Sequence, residues 1–445
     1  MRKRKVPVRS VKCVHVIAPA LLGIGVFLFW WLWHPEALSF QEQNQLFLWT
    51  GDYFWQRVSV AGGLADWLGE FVVQFFYVEW FGALLMAMLF VLMQQMGRMT
   101  FTSNHSHLSI LHSSLSLLPP LFFLWLMGDE NVLVSLPVAF TLLLAAVVLL
   151  RRVRFWWWLP VVAVLYWSVG TQWNTYYRIP QHGPVLEGWN AEKWELLKQD
   201  YLIRNGRWDE LLQRAAEHEV HTSFWSNSVN LALAMQGQLA DRQFDFWQSG
   251  EDALLMPMVR DNISNLPTME AFWHLGMVNS ALRYASDLQE SILNARKSGR
   301  LEKRIVECLL VNGNDTIARK HLALLKKSLF YSSWAFRVEI GDWKEKCQLR
   351  YKENFLYSYP EIDKMLGILF QNNTKNKMAL EYFLGQLLLK GDAQTFMQAL
   401  PWAQQYGGYR VMPMVYQDAV SCMQSRSVPD TPYGKYIKRK MGGGQ

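Results

Sequence analysis

Three acidic residues near the ends of apolar runs are the side chains best placed to do chemistry in this sequence. Glu42 and Asp52 follow the first apolar run, and Glu79 stands near the start of the second. A carboxylate in such a position can act as a general base or as a metal ligand. The alternative for Glu42 and Asp52 is an ordinary polar loop, and for Glu79 a place at the lipid boundary beside Trp80 and Phe81.

The histidines form no recognisable metal motif. His218 and His221 flank Glu219 at a spacing of three, whereas the histidines of a zinc-protease helix lie four residues apart. A second group precedes the third apolar run: His105, His107 and His112. We interpret both groups as ordinary polar positions and predict no bound metal.

The cysteines do not predict a redox or metal centre either. Cys13, Cys308, Cys347 and Cys422 contain no Cys-x-x-Cys pair. A bridge between Cys308 and Cys347 and buried free thiols both remain open. Since a glycine-rich phosphate loop and a nucleophile elbow are also missing from the sequence, we expect no cofactor and favour a protein that is not an enzyme.

Apolar runs and basic residues together predict a membrane protein. The runs 14–33, 71–93, 108–127, 132–150 and 155–173 each approach the roughly 20 residues needed to cross about 30 Å of hydrocarbon. Of the eleven Lys and Arg residues in the first 170 positions, ten fall on one side of these runs. Short basic loops stay in the cytoplasm, so the N-terminus is expected inside and the chain after residue 173 outside. In a bacterium this describes a multi-pass inner-membrane protein with a periplasmic C-terminal domain.

The segment between the first two runs, 34–70, is too polar to span a membrane and too long for a simple turn. Its middle, 40–49, is amphipathic, and the glycines at 61–64 separate it from the next helix. We therefore expect an interfacial or re-entrant element outside the first run.

The remainder of the chain has a different composition. Residues 171–445 contain 33 basic and 29 acidic side chains, a balance that gives no sign of nucleic-acid binding. After a turn-rich linker at 174–189, apolar residues recur with helical period, as in Trp208, Leu211, Leu212 and Ala215. This pattern predicts amphipathic helices.

Glycine-containing turns divide this helical region into hairpins. Gly206, Gly237, Gly313 and Gly391 each separate two apolar stripes, at intervals of 31, 76 and 78 residues. The two long intervals are close to twice 38, which indicates a helical repeat with intermediate turns that lack the glycine. A stacked α-solenoid is expected.

Two resemblances accompany these patterns. The apolar stripes and the Leu275-Gly276, Leu366-Gly367 and Leu384-Gly385 pairs resemble degenerate tetratricopeptide repeats over most of 190–425. The stretches 61–68, 74–77, 82–84, 230–234 and 416–419 resemble an uncharacterised bacterial family of multi-pass membrane proteins with a helical-repeat C-terminal part. The first resemblance implies a binding groove, and the second implies this architecture and no assigned activity.

The sequence therefore predicts an all-α protein with about five transmembrane helices followed by an α-solenoid. We expect a transmembrane domain at 1–173, the linker, the solenoid at 190–425 and a basic flexible tail at 426–445. The predicted partners are the lipid bilayer and a protein or envelope component bound by the solenoid, in a scaffold or assembly role. The alternative is a membrane enzyme or transporter for a lipid-linked or sugar substrate, with Glu42, Asp52 and Glu79 as its polar centre.

Overall fold

Helices make up almost all of the described structure. The computed structural model describes residues 8–60, 62–101, 113–150, 160, 163, 178–179, 183–184, 188–292, 296–338, 361–425 and 428–442. Within these ranges a short antiparallel pairing joins Arg178–Ile179 to Gly183–Pro184, and the other regular elements are helical. The predicted all-α class is confirmed.

Several predictions fall outside these ranges. They concern the run 155–173 except positions 160 and 163, the histidines His105, His107 and His112, and Cys347. The proposed Cys308–Cys347 bridge therefore also lies outside the described residues.

The chain divides into two units. Unit 1 consists of Met1–Trp194, Arg296–Gly299 and Leu324–Ala335, and unit 2 of Glu195–Ala295, Arg300–Ala323 and Phe336–Gln445. The sequence predicts one boundary, at the linker 174–189. In the structure, two short segments of the predicted repeat region belong with the N-terminal half.

The N-terminal half contains seven described α-helices. They are α1 Val8–Leu28, α2 Pro35–Gln43, α3 Gly51–Val58, α4 Gly63–Val73, α5 Glu79–Phe101, α6 Leu118–Leu126 and α7 Ser135–Leu150. Thr50 begins α3 because its hydroxyl accepts the backbone N–H of Tyr53 at 3.3 Å. The predicted outer segment is thus three short helices, and α2 ends at Gln43 instead of continuing through 40–49.

Helix α4 comes very close to α7. A Cβ on Gly69 would lie 2.7 Å from backbone atoms of Ser135, so only glycine fits at this crossing. The core of this unit also contains Val73, Phe90 and Met93, whose side chains are buried. Close packing of α4 fixes the position of the acidic side chains that it carries.

Two helical stretches of the described residues are long and apolar enough to cross a membrane. They are Val16–Trp33 and Glu79–Thr100, and shorter apolar helices cover Ser113–Leu126 and Ser135–Leu149. The prediction of a run beginning at 71 is wrong in its start. Residues Gln74–Tyr77 form a 3₁₀ turn, in which Gln74 Nε2 donates to the Phe71 carbonyl oxygen at 2.9 Å, and the long helix begins only at Glu79.

The second half continues with fourteen described α-helices. They are α8 Ala191–Arg204, α9 Trp208–Glu217, α10 Ser223–Met235, α11 Leu239–Arg242, α12 Leu266–Leu275, α13 Val278–Glu290, α14 Gly299–Val311, α15 Asp315–Leu325, α16 Ser332–Arg337, α17 Ile362–Asn372, α18 Lys377–Lys390, α19 Ala393–Tyr406, α20 Met414–Gln424 and α21 Pro432–Gly442. Neighbours in sequence pack in space, as in the pairs α9 with α10, α12 with α13, and α17 with α18. This is the arrangement of helical hairpins.

One turn geometry recurs between these helices. Gly206, Gly237, Gly276, Gly313 and Gly391 all have positive φ, between 65° and 85°. At each, the next residue donates its backbone N–H to a carbonyl five residues earlier, for example Arg207 to Leu202 at 2.9 Å. This is the glycine-dependent Schellman end of a helix.

The turns predicted at Gly206, Gly237, Gly313 and Gly391 are confirmed. Gly276 adds a turn 39 residues after Gly237 and 37 before Gly313, near the midpoint of the first long interval. The expectation that this intermediate turn lacks glycine is wrong.

A buried ion network lies in the core of unit 2. The Arg300 guanidinium contacts Asp200 at 2.8 Å and Glu270 at 3.4 Å, and Arg304 contacts Glu270 at 2.7 Å and Glu307 at 2.8 Å. Charges on α8, α12 and α14 thereby neutralise one another away from water.

The stretch 426–445, predicted as a flexible basic tail, contains helix α21. Tyr433 and Tyr436 of this helix are buried, and Lys440 Nζ donates to the carbonyl oxygens of Leu389 and Lys390 at 2.7 and 2.8 Å. A cation at the C-terminal end of α18 satisfies carbonyl groups that the helix itself leaves without partners. At least part of the tail is therefore an ordered part of unit 2.

Candidate functional site

The three acids chosen from the sequence occupy dissimilar environments in unit 1. Glu42, in the last turn of α2, is 2% exposed and accepts a hydrogen bond from the Tyr331 hydroxyl at 2.8 Å. Asp52, in the first turn of α3, is exposed, and Glu79 is half-buried in the first turn of α5. Because Glu42 is buried and Asp52 faces solvent, these two acids do not line one common centre.

Another acid forms the centre of a buried ion cluster in unit 1. Glu70 of α4 is 1% exposed; its Oε1 lies 2.9 Å from Arg296 Nε and its Oε2 lies 3.1 Å from Arg57 Nε. The Tyr53 hydroxyl donates a further hydrogen bond to Oε2, and Arg296 Nη2 lies 3.4 Å from Asp66 Oδ1. We call these five residues the Glu70 cluster.

The Glu70 cluster is compensated in charge. Its two carboxylates face two guanidinium groups, so that neither sign is left in excess. Burial, and then the negative charge of Glu70, raise the pKa of the Tyr53 hydroxyl, which therefore stays protonated and donates. Such an arrangement stabilises a fold and leaves no carboxylate available as a base.

A small pocket adjoins Glu42. Glu42, Gln45, Gln74 and Tyr331 line it, and its volume is about 10 Å³. Among the described residues, Gln45 Oε1 is buried without a hydrogen-bond partner. This space suits one water molecule, not a sugar or a lipid headgroup.

A much larger cavity lies in unit 2. Its volume is about 390 Å³, within the range of small-ligand pockets. It is lined by the connection between α11 and α12 and by α12, α13, α17 and α18, through Glu251, Asp252, Leu255, Met256, Pro257, Met258, Phe272, Ser280, Arg283, Tyr284, Glu361, Ile362, Asp363, Met365, Gln386 and Lys390. We call this space the unit 2 cavity.

Buried amides hold the connection that forms one wall of the unit 2 cavity. Asn227 Nδ2 donates to the Leu254 carbonyl oxygen at 2.6 Å, and Asn230 Nδ2 donates to that of Ala253 at 3.0 Å. Both asparagines project from α10 and are fully buried. These hydrogen bonds fix the position of a connection that has little regular structure of its own.

Negative charge exceeds positive charge in the unit 2 cavity. Lys390 Nζ lies 3.1 Å from Asp363 Oδ2, so these two charges compensate each other. Within the described part of the chain, no ion pair is formed by Glu251 or by its neighbour Asp252. Partial burial, and then the negative charge of Glu251, raise the pKa of Asp252, as expected for an acid without a close cation.

An amide oxygen of the same wall also lacks a partner. Gln386 is 3% exposed, and its Nε2 donates to the Glu251 carbonyl oxygen at 2.9 Å. Its Oε1 is buried and accepts no hydrogen bond from the described residues. This atom has almost no accessible surface, so a ligand in the cavity does not reach it.

Comparison with known proteins identifies the family. A model described as a family of unknown function, DUF6057, matches residues 9–176 and 171–441. This chain belongs to DUF6057. No curated protein and no solved structure matches it.

His221 of this DUF6057 protein contacts Glu219 at the surface. His221 Nε2 lies 2.6 Å from Glu219 Oε1, both side chains are exposed, and the imidazole stacks on Trp247. Among the described residues no group of three or more His, Cys, Asp or Glu side chains could hold a metal ion.

The features missed at the level of sequence are the unit 2 cavity and the Glu70 cluster. The stretch 249–267 of this DUF6057 protein is rich in Pro and Met and marks a long join between helices, which is a signal for a contact surface. No sequence signal links Arg296 to Asp66, because the two are separated by 230 residues.

Proposed function

We propose that this DUF6057 protein is a membrane-anchored docking protein whose helical-repeat part binds a protein or envelope component. The observation that carries the proposal is the unit 2 cavity, where Glu251 and Asp252 form no ion pair within the described residues. We propose that the helical hairpins of this part form a solenoid, because solenoids use their concave or loop-bearing surfaces for recognition.

The membrane part of the proposal is supported by apolar side chains that face outward. On α1, Val16, Leu21 and Ile24 are 70%, 64% and 57% exposed, and Met88 of α5 is 59% exposed. Apolar faces of this extent need lipid or protein cover. We propose the five-span topology, with the N-terminus in the bacterial cytoplasm and the repeats in the periplasm, on the positive-inside distribution of Lys and Arg.

Alkaline phosphatase fused after Gln445 tests this topology. Activity is expected if the C-terminal part is periplasmic, because the phosphatase folds only where its disulfides form. A fusion after Arg98, which the topology places inside, is the matched control and should be inactive. An inactive Gln445 fusion that is stably produced would overturn the proposed compartment.

Photo-crosslinking from the unit 2 cavity tests the docking role. We expect p-benzoylphenylalanine in place of Met258 to give a discrete adduct in membranes of cells that produce the full chain. The matched control places the same group at Gln213, an exposed position on α9. Ser280→Trp, which fills the cavity from α13, should abolish the Met258 adduct.

Besides the absence of any Met258 adduct, two outcomes would contradict the docking role. One is an equal adduct from Gln213 and Met258, which indicates random collision. The other is an adduct that persists with Ser280→Trp while the variant remains folded.

The burial of Glu42 against Tyr331 and the charge balance of the Glu70 cluster support docking over the alternative of a membrane enzyme or transporter. In that alternative Glu42 and Asp52 belong to one polar centre, but Glu42 is buried against Tyr331 and Asp52 is exposed.

A further inference from the structure

We propose that the occupant of the unit 2 cavity is an extended peptide segment of another protein that carries Lys or Arg between apolar side chains. This inference rests on the proposed docking role and names the class of partner. Two features of the cavity wall lead to it: its charge and its apolar lining.

The charge of the wall selects a cation. Glu251 and Asp252 are adjacent, both line the cavity, and neither forms an ion pair within the described ranges. Of the basic residues of the lining, Arg283 pairs with Asp287, and Lys390 pairs with Asp363 and also attracts Glu251, but acidic groups of the lining still outnumber basic ones. A guanidinium or ammonium group placed between Glu251 and Asp252 gains charge-assisted hydrogen bonds.

The remaining lining selects apolar neighbours for that cation. Met256, Met258, Phe272 and Met365 contribute unbranched or aromatic surface to the same cavity. Methionine side chains adapt to different apolar partners because they are flexible and polarisable. About 390 Å³ accommodates one or two side chains of a peptide, while the rest of the partner remains outside.

An extended peptide supplies the cation and the apolar groups from one molecule. Side chains along an extended strand alternate in direction, so that a Lys or Arg can lie between apolar residues. An amine without a peptide backbone would meet the charge but would leave less of the apolar wall covered.

The basic helix of the chain itself is engaged elsewhere. In α21, Arg439 Nη2 donates to the Gln248 carbonyl oxygen at 2.9 Å, and Lys440 donates to the end of α18. Arg439 and Lys440 are therefore not available to the unit 2 cavity.

Fluorescence anisotropy with the full chain in lipid nanodiscs tests the inference. The probes are fluorescein-labelled Leu-Lys-Leu-Arg-Leu, the acidic analogue Leu-Glu-Leu-Asp-Leu and the polar analogue Ser-Lys-Ser-Arg-Ser. We expect the first to bind at least about tenfold more tightly than either analogue, a difference that requires both charge and apolar contact. Equal binding of all three would overturn the inference.

Paired substitutions locate the binding. Glu251→Gln with Asp252→Asn should weaken Leu-Lys-Leu-Arg-Leu at least about tenfold. The matched control, Asp209→Asn with Glu217→Gln, removes the same charge from exposed positions on α9 and should leave affinity unchanged within about twofold. Glu251→Lys with Asp252→Lys should transfer the preference to Leu-Glu-Leu-Asp-Leu, a gain that misfolding cannot imitate.

The crosslinking experiment separates this inference from the docking role. If the Met258 adduct forms but maps to an acidic or uncharged segment of the partner, docking stands and the peptide class is wrong. If the adduct is a second copy of this chain, and the full chain self-associates through the cavity, the inference of a separate partner is also wrong. If no adduct forms, the docking role itself fails.

Discussion

The acids of unit 1 and unit 2 differ in their surroundings: Asp66 and Glu70 are buried and paired with cations, whereas Glu251 and Asp252 line a cavity. In the Glu70 cluster, each carboxylate contacts a guanidinium group. In the unit 2 cavity, Glu251 and Asp252 stand next to each other at the edge of about 390 Å³ of space. Both are groups of acids in a helical protein, but only the first is fully paired with cations.

The buried acids are compensated by cations, whereas the proposed binding acids, Glu251 and Asp252, are more exposed and form no ion pair within the described residues. Removing one partner from a compensated buried pair leaves an isolated charge in a poor solvent, which is costly. Removing an uncompensated acid at a cavity costs little stability and changes only what the cavity attracts. The following substitutions measure each side of that difference.

The largest effect is expected for Arg296→Met. It leaves Glu70 and Asp66 without their shared guanidinium, at a cost of about 3–5 kcal/mol in the free energy of unfolding. Denaturant titration of the purified full chain in detergent, followed by tryptophan fluorescence, measures this cost. Lys297→Met, the neighbouring exposed cation, is the control and should cost less than about 0.5 kcal/mol. Similar costs for the two variants would remove the structural role of the Glu70 cluster.

Gly69→Ala separates packing from charge in the same helix. Gly69 lies between Asp66 and Glu70 in α4, and the added Cβ would meet the Ser135 backbone at 2.7 Å, so we expect a loss of about 1–3 kcal/mol. Gly97→Ala, where the nearest atom is 3.8 Å away, is the matched control and should be neutral or stabilising. If Gly69→Ala is harmless, α4 is not held as closely as the structure indicates.

The ion network of unit 2 tests whether pairing a buried acid with cations stabilises this unit as it does unit 1. Burial opposes the ionisation of Glu270, but Arg304 and then Arg300 outweigh it, so the pKa of this carboxyl is lowered in the folded state. A lowered pKa contributes stability that is present above the unfolded pKa, near 4.5, and is lost as the pH falls through the folded pKa.

Glu270→Gln should therefore cost about 1–3 kcal/mol at pH 7, and the cost should shrink as the pH falls below about 4.5. Unfolding titrations of both proteins between pH 3 and pH 7 measure the difference. Glu217→Gln, at an exposed acid of the same unit, is the control. A difference that is constant over this range would show that the ionised form of Glu270 has no special stability.

The smallest effect on stability is expected for Glu251→Gln with Asp252→Asn. These acids form no ion pair within the described ranges, and partial burial and the charge of Glu251 raise the pKa of Asp252, so folding does not favour its ionised form. The melting temperature should change by no more than corresponds to about 0.5 kcal/mol, while peptide binding weakens at least about tenfold. A large destabilisation would instead place these two acids with the structural acids of unit 1.

Local sequence patterns predicted the elements that depend on local interactions. The turns at Gly206, Gly237, Gly313 and Gly391 follow from glycine at positive φ after an apolar stripe, and all are present. Gly276 also ends a helix at positive φ. From the sequence, the Leu275-Gly276 pair indicates only the resemblance to tetratricopeptide repeats. The apolar run starts earlier than α5 because residues 71–78 are mostly apolar. In the structure, Gln74–Tyr77 of this stretch form a 3₁₀ turn, and α5 begins at Glu79.

The sites depend on contacts that are distant in sequence, which explains why they were not predicted. Gln386 reaches Glu251 across 135 residues, and Tyr331 reaches Glu42 across 289. Glu42 and Asp52 are candidate site residues only because they follow the first apolar run. Nothing in the neighbourhood of Glu70 distinguishes it from them until Arg296 is placed beside it.

The return of Arg296 to unit 1 has a consequence for the order of synthesis. A ribosome that adds about 5–20 residues per second needs about 10–50 s to make the 230 residues between Asp66 and its arginine. Until then the nascent N-terminal half contains Asp66 without its arginine, and Glu70 with Arg57 alone. The Glu70 cluster can therefore be completed only late in synthesis. Until then, the acids of the emerging chain depend on water or another molecule for solvation.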